Sequence, residues 1–261
     1  MRGDGISARL NIPGTLTLLA VLAAWEVAVR TGALSFEYLP APSGIVLAFG
    51  DIVRSGELVA ATAHTLRSIL IGWLLAGLIG GALGLIFGLS GFARRWFLAS
   101  LEILRPLPAI AFLPVAVLLF NFSLITELWV MVYASIWPMF INTMGGVSNV
   151  AARLHDVSLT LKLSRRQTLT KVLVPAAAPA ILVGLRLCLG TTLVMAIIAE
   201  MIGNPHGLGY AVVSAMVAIQ PAQMFAYVVF VGLLAIALNG CLQLVARRML
   251  PAYGRGAADH V

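Results

Sequence analysis

Charge is the property that this sequence lacks most. Only 10% of its 261 residues are charged, whereas 61% are hydrophobic, and its mean hydropathy is +1.00. A soluble domain carries charge on roughly a quarter of its residues, because its surface must face water. The sequence therefore excludes a soluble globular protein and predicts a polytopic membrane protein.

Residues and motifs that enzymes use are also scarce. The only two lysines, Lys162 and Lys171, lie in no Gly-x-x-x-x-Gly-Lys-Ser/Thr loop, so the chain has no P-loop for ATP. No His-Glu-x-x-His motif occurs, and the four histidines are scattered along the chain. Cys188 and Cys241 each lie in an apolar run without the spacing of a disulfide or metal pair. We expect no catalytic residue, no metal site and no cofactor bound by this chain.

The net charge of +7 does not indicate nucleic-acid binding. The basic residues cluster in short segments beside apolar runs, which is the pattern of the positive-inside rule. A protein that neutralises phosphates needs a continuous basic face, and none is evident here. The expected surroundings of the chain are therefore a lipid bilayer and protein partners.

Six apolar runs approach the ~20 residues that a helix needs to cross a bilayer. They cover residues 14–29, 67–89, 97–120, 128–147, 177–202 and 224–246. We predict an all-α fold with six transmembrane helices within residues 14–248. Residues 1–13 and 249–261 form polar tails.

Local composition adds detail to these spans. Glycines spaced four apart in the second run predict close packing against another helix. Pro106, Pro108 and Pro114 predict an interruption of the third run. A short amphipathic helix is expected between Pro42 and Arg54, and Glu26 and Arg30 can pair on one helix face.

The segment 203–223 contains an apolar stretch that is too short to cross. Leu208 to Ile219 covers only about a dozen residues, so we predict a re-entrant or interfacial hairpin. Six spans then place Arg94 and Arg95, the basic segment 153–171 and the Arg247/Arg248 tail on one side. The segments 121–127 and 203–223, on the other side, contain no Lys or Arg. This distribution predicts that both termini are cytoplasmic.

Residues 150–175 form the long polar and basic interruption between the fourth and fifth runs. Helix formers dominate it, and neither Gly nor Pro occurs between Ser158 and Pro175. We interpret it as a helical socket for a cytoplasmic partner. The residues expected to take part are Asp156, Val157, Ser158, Lys162, Ser164, Arg165, Arg166, Val172 and Pro175.

This segment resembles the coupling loop of bacterial ABC importer permeases, which reads Glu-Ala-Ala, three residues, Gly, nine residues, Ile-x-Leu-Pro. Asp156-Val157-Ser158 stands at the triplet, Lys162 at the glycine, and Val172 to Pro175 at the end of the pattern. Further matching stretches are Leu39 to Ser43, Arg105 to Pro108, Pro175 to Pro179, Gly184 to Arg186, Ala199 to Gly203 and Gly207 to Tyr210. Together they resemble the nitrate, sulfonate, taurine and bicarbonate branch of these permeases.

The resemblance implies a type I ABC importer permease in the bacterial inner membrane, working as a homodimer. Its implied partners are cytoplasmic ATPase subunits, which bind ATP and Mg²⁺, and an external substrate-binding protein. Lys162 departs from the pattern, because a glycine there would allow a positive φ that lysine adopts only at a cost. The loop therefore turns differently, suits a particular ATPase, has drifted neutrally, or belongs to a degenerate permease that has lost coupling.

Five residues are candidates for the solute pathway or an external gate: Asn142, Arg186, Glu200, Gly207 and Gly209. Gly207 and Gly209 belong to a turn that is expected to form part of an external gate, and the other three residues each have a structural alternative. Asn142 can join two helices, Arg186 can form an interhelical pair, and Glu200 can brace the segment after its helix. A self-contained secondary carrier is the alternative function. It would need ionisable residues at mid-membrane and repeated halves, and the sequence shows no convincing repeat.

Overall fold

The computed structural model describes residues 12–34, 36, 38–160 and 163–249, and within these ranges the chain is helical without strands. The helices in chain order are α1 (Ile12–Arg30), α2 (Pro42–Ser55), α3 (Glu57–Leu89), α4 (Gly91–Leu104), α5 (Leu113–Phe120), α6 (Leu124–Thr160), α7 (Arg165–Gln167), α8 (Val174–Gly203), α9 (Gly207–Val217) and α10 (Pro221–Met249). A 3₁₀ turn (Ala109–Phe112) precedes α5, and a π-helix (Thr168–Leu173) joins α7 to α8. The prediction of an all-α membrane protein is confirmed.

Among the described residues, five helical segments are long and apolar enough to cross a membrane. They are Pro13–Arg30, Glu57–Leu89, Leu124–Val150, Thr168–Ile202 and Pro221–Arg248. A sixth span arises if α4 and the Ala109–Phe120 segment count as one, although they are bent by 76°. Pro106 and Pro108 lie in this break and remove two backbone donors, so the helix cannot continue through it.

α3, α6 and α8 form the centre of the bundle. α3 packs closely on α6 because its glycines leave no side chain between the two backbones. A Cβ atom at Gly84 would lie 2.5 Å from the Cβ of Thr143 and 2.8 Å from the carbonyl oxygen of Phe140. Gly80 and Gly88 approach Met139 and Val147 in the same way. The glycine pattern therefore acts in helix packing, as expected.

α3 and α8 are joined by a hydrogen bond from the Trp73 indole nitrogen to the Leu185 carbonyl oxygen, at 3.0 Å. α6 and α8 are joined by a buried hydrogen bond from the Thr192 hydroxyl to the Ser135 hydroxyl, at 2.8 Å. These bonds satisfy polar groups that would otherwise face lipid or an apolar interior. They fix the register of the three central helices.

Helix boundaries differ from the sequence expectation. α3 begins at Glu57, ten residues before the predicted start at Arg67, and α6 continues to Thr160, well past Val147. Within the described residues, segment 150–175 consists of the end of α6, α7, the π-helix and the start of α8, joined by the non-helical residues 163 and 164. Apolar composition locates only the lipid-facing part of a helix, and backbone hydrogen bonds continue into the polar residues beyond it.

The two shorter predicted elements are present. α2 begins directly after Ala41 with Pro42 in its first turn, where a missing N–H costs nothing. α9 has 11 residues, which is too few to cross. Glu26 pairs with Arg30 as predicted. It also accepts a hydrogen bond from the Ser43 backbone nitrogen at 2.9 Å, which ties α1 to the start of α2.

Candidate functional site

Two polar regions lie at opposite ends of the central helices. The first, here named the carboxylate cluster, consists of His64 on α3, Glu127 on α6, Glu200 on α8, and Asn204 just after α8. The second is the polar segment 150–175. Glu127 and Asp156 both belong to α6 and lie ~40 Å apart along its axis, at 1.5 Å per residue.

Glu200 braces the start of α9. Its carboxylate is buried and accepts a hydrogen bond from the Thr65 hydroxyl at 2.8 Å and another from the Gly209 backbone nitrogen at 2.9 Å. Thr65 in turn accepts a hydrogen bond from the Leu208 backbone nitrogen at 2.9 Å. The first N–H groups of a helix have no partner within the helix, and a negative group beside them is favourable. Glu200 and Thr65 together therefore cap α9.

Gly207 and Gly209 are required by this arrangement. Gly207 has a φ of +93°, and a Cβ atom there would lie 2.3 Å from the carboxyl carbon of Glu200. A Cβ atom at Gly209 would lie 2.2 Å from the carbonyl oxygen of Ile197. The two glycines were predicted as gate residues, and they pack against Glu200 and α8 at the end of the bundle that carries α9.

Glu127 is the second buried carboxylate of the cluster. It is 1% exposed, and its Oε1 lies 3.2 Å from the His64 Nε2 and in hydrogen-bond contact with the Asn204 amide. The Asn204 amide oxygen lies 3.1 Å from the His206 Nδ1, and the His64 and His206 rings stack with centroids 5.6 Å apart. The cluster thus joins α3, α6, α8 and the start of α9.

A cavity of about 710 Å³ opens beside the cluster, between α2, α3, α9 and α10. Its described polar lining includes Asp51, Glu57, His64, His206, Tyr210 and Gln223. None of the described residues that line it is Arg or Lys. The cavity therefore offers polar contacts without a fixed positive charge that would select an anion.

The polar segment contains a defined helix start. The Ser164 hydroxyl accepts a hydrogen bond from the Gln167 backbone nitrogen at 3.3 Å, and the Gln167 side-chain oxygen accepts one from the Ser164 backbone nitrogen at 3.0 Å. This reciprocal pair is a capping box, which stabilises the first turn of a helix. Arg166 is exposed beside it. The segment therefore presents an ordered, basic helix start.

The π-helix Thr168–Leu173 follows this start and leads into Pro175, which lies in the first turn of α8. The Val174 backbone nitrogen donates to the carbonyl oxygen five residues earlier, on Leu169. Val172 is half-buried within this π-helix. Widened turns of this kind are rare and are often found at functional sites.

Other predicted coupling residues are only partly described. Asp156, Val157 and Ser158 lie in the last turns of α6, and Arg165 is the first residue of α7. Lys162 lies outside the described residues.

The remaining pathway candidates contact other helices. The Asn142 amide donates to the Pro138 carbonyl oxygen of its own helix at 2.8 Å, and Asn142 packs on Gly184 where α6 meets α8. The Arg186 Nε donates to the Asn239 side-chain oxygen at 3.0 Å, linking α8 to α10. The Arg186 contact is therefore an interhelical pair, whereas the hydrogen bond of the Asn142 amide stays within α6.

His64, Thr65, Glu127, Asn204 and His206 were not predicted as site residues. Each lies near the end of a span, and no sequence spacing relates positions so far apart. The sequence does place a polar residue close to one end of three apolar runs, and this pattern could have pointed to the cluster. Which polar residues meet depends on helix register, which apolar periodicity does not determine.

The chain is similar in sequence to known proteins over most of its length. Residues 68–253 match the family described as binding-protein-dependent transport system inner membrane component. The chain is 32% identical to the aliphatic sulfonates transport permease protein SsuC of Bacillus subtilis, over 91% of this chain and 86% of that protein. It is also 32% identical to SsuC of Escherichia coli, over 90% of each chain. The nitrate import permease protein NrtB of Leptolyngbya laminosa is 31% identical over 72% of this chain and 68% of that protein.

The fold is also similar to that of a solved transporter. The inward-facing MetNI methionine ABC transporter contains a chain that aligns with a TM-score of 0.61 and 18% identity. The alignment covers 72% of this chain and 92% of that one. At this identity the similarity concerns the fold alone.

Proposed function

This chain belongs to the family of binding-protein-dependent transport system inner membrane components, the permease subunits of ABC importers, and on that premise we propose that it carries a small anion such as an aliphatic sulfonate or nitrate. The relatives named for sulfonate and nitrate transport support this solute class. They give no support to a self-contained secondary carrier. The solute is delivered by an external binding protein, which supplies much of the selectivity.

The permease works as a homodimer in the bacterial inner membrane, with both termini in the cytoplasm. Two cytoplasmic ATPase subunits bind ATP and Mg²⁺ and engage the polar segment of each permease copy. The concentration of basic residues at that end of the bundle supports this orientation. In this orientation the carboxylate cluster and its cavity face the external binding protein.

One observation carries the proposal for coupling: α6 and α8 both extend from the polar segment to the carboxylate cluster. They pack against each other along this length and share the buried Thr192–Ser135 hydrogen bond. A helix pair packed in this way moves as a body, because close-packed interiors resist deformation. A displacement that an ATPase imposes on the polar segment therefore reaches the end that carries α9.

The docking role is tested by replacing Arg165 and Arg166 together with Glu. We expect the ATPase subunits to co-purify with the variant at a fraction of the wild-type level, because the basic helix start is reversed in charge. Membrane insertion should be unchanged. The matched control is a double variant in which Arg247 and Arg248 are both replaced by Glu. It makes the same charge change at the exposed end of α10.

The control variant should retain its ATPase subunits. Equal co-purification of ATPase with the Arg165/Arg166 variant and with the wild type would contradict docking at this segment. Equal loss in both variants would assign the effect to the general charge of the membrane face instead.

A further inference from the structure

The carboxylate cluster brings a histidine and two acids together, and helix packing alone does not require these three side chains to meet. His64, Glu127 and Glu200 come from three different helices, and each offers a ligand atom within 4.8 Å of the others. Both carboxylates are buried, at 1% exposure for Glu127 and 0% for Glu200. Two buried acids at this separation repel each other when both are ionised.

No Arg or Lys among the described residues offsets this charge by an ion pair. The one ion pair that either carboxylate forms within the described ranges is between Glu127 and His64. Burying an unpaired charge is costly, so ionised acids in such a position need a counter-charge.

One carboxylate oxygen also lacks a partner. Glu127 Oε2 is buried and accepts no hydrogen bond. Glu200 is different, because its two oxygens are occupied by Thr65 and Gly209. A buried acceptor without a donor is rare in folded proteins. It belongs to the carboxylate whose other oxygen contacts His64 and which lies beside a second acid, and this setting points to a cationic ligand.

We propose that His64, Glu127 and Glu200 bind one divalent transition-metal ion of the Mn²⁺ to Zn²⁺ group. The His64 Nε2 and an oxygen of each carboxylate are the ligands. One imidazole and two carboxylates suit these ions, whereas Mg²⁺ and Ca²⁺ favour oxygen ligands alone. Bonds of about 2.0–2.2 Å place neighbouring ligand atoms closer together than 4.8 Å. Rotations of His64 and Glu127 would close this difference while Glu200 keeps its hydrogen bonds to Thr65 and Gly209.

The surroundings supply the two further features that a metal site needs. Asn204 contacts Glu127, and His206 holds the Asn204 amide, so the groups around the ligands are themselves oriented. His64 and His206 both line the 710 Å³ cavity, which gives an ion a route to the cluster. The bound ion would join α3, α6 and α8 at the end that carries α9. No metal site was predicted for this chain, because the four histidines are scattered and no metal-binding motif occurs.

The test uses the full chain, purified in detergent with an affinity tag that contains no histidine and stripped with a chelator. Mn²⁺ and Zn²⁺ are then titrated separately, and bound metal is measured by mass spectrometry after gel filtration. We expect about one ion per chain for at least one of the two metals. We also expect the Mn²⁺ spin-resonance spectrum to change on binding, and the melting temperature to rise with metal concentration.

Glu127→Gln tests the assignment of the ligand, because it keeps the shape of the side chain and removes its charge. Its metal affinity should fall by at least about 10-fold. Glu102→Gln is the control, since Glu102 is an exposed residue of α4, outside the cluster. This variant should bind metal as the wild type does.

Two results would overturn the proposal. One is a wild-type chain that binds neither metal at up to millimolar concentration, which would leave the cluster with a bracing role only. The other is unchanged affinity in Glu127→Gln, which would place any bound ion elsewhere. The wild-type measurement decides the first point even if the variant fails to fold.

Discussion

Gly207 and Gly209 show how a single missing Cβ atom allows the carboxylate cluster to form. The backbone at Gly207 has a φ of +93°, and the Glu200 carboxylate occupies the place of its absent side chain. Gly209 brings its backbone nitrogen to 2.9 Å from the same carboxylate. A larger residue at either position would separate α9 from α8 and leave Glu200 buried without its hydrogen bond from Gly209.

The variant Gly207→Ala should therefore destabilise the protein. A non-glycine residue at positive φ costs about 1–3 kcal/mol, and the new methyl group would also clash with Glu200. We expect a free energy of unfolding lowered by at least about 2 kcal/mol, measured by thermal unfolding in detergent. Transport in a reconstituted importer should fall with it.

Gly190→Ala is the matched control for this variant. Gly190 lies on α8, like Glu200, but no atom lies within 4 Å of where its Cβ would be. Alanine there should leave the melting temperature unchanged or raise it, because alanine favours helix more than glycine does. An unfolding curve for Gly207→Ala identical to that of Gly190→Ala would refute the role assigned to the glycine.

At the scale of elements, the close contact of α3 with α6 and the packing of α6 on α8 determine the shape of the bundle. The glycines of α3 face α6 at three successive turns, Gly80, Gly84 and Gly88. Lipid offers no hydrophobic drive for two apolar helices to associate, so close backbone contact supplies the attraction. A methyl group at the centre of this contact would remove part of it.

Gly84→Ala tests this contact. Its Cβ would lie 2.5 Å from Thr143 and 2.8 Å from a backbone oxygen, so relief requires a shift of the whole helix. We expect a loss of about 1–3 kcal/mol in unfolding free energy, the usual range for overpacking. Thermal unfolding followed by tryptophan fluorescence measures it.

The comparison variant for Gly84→Ala is Gly145→Ala on α6. A Cβ at Gly145 meets no atom within 4 Å. Its expected effect lies between zero and a gain of about 1 kcal/mol. If both variants melt at the wild-type temperature, the glycine contact does not hold α3 against α6.

The helices also show which structural features a sequence can predict. Apolar run length predicted the spans and the short α9, and the prolines predicted the break at Pro106 and Pro108. Each of these features follows from membrane thickness or from local backbone chemistry. The early start of α3 at Glu57 and the extension of α6 to Thr160 were missed. Helical hydrogen bonds continue into polar residues, and hydropathy does not indicate where such an extension ends.

The candidate site was less predictable than the fold. Glu200, Gly207 and Gly209 were identified because they lie close together in sequence and fit a known pattern. Glu127 and His64 were not, because they meet Glu200 only through the register of α3, α6 and α8. That register depends on side-chain packing between helices, such as Gly84 on Thr143, which a single sequence does not reveal.

At the scale of the whole molecule, basic residues are concentrated at one end of the bundle. Arg94, Arg95, Lys171, Arg247 and Arg248 all lie at the end of the bundle opposite the carboxylate cluster. Transferring such charges across a membrane is unfavourable, and cytoplasmic segments accumulate them for this reason. The segment that carries α9 should therefore face outward, with α9 entering the bundle and returning on the same side.

Site-directed labelling tests this arrangement in cells. Cys188 and Cys241 are first replaced by Ala, and single cysteines are then introduced as Pro205→Cys before α9, Gln220→Cys after it, and Lys171→Cys in the polar segment. All three native residues are exposed. A membrane-impermeant maleimide should label the first two in cells with a permeabilised outer membrane. Lys171→Cys should react only after the inner membrane is opened.

The pair of cysteines that flanks α9 distinguishes the re-entrant arrangement from a crossing. Were α9 to cross, Gln220→Cys would be protected together with Lys171→Cys, while Pro205→Cys would still react from outside. With 11 residues, α9 is ~17 Å long at 1.5 Å per residue, about half of the ~30 Å hydrocarbon core. Its length therefore favours labelling of both flanking positions from the same side.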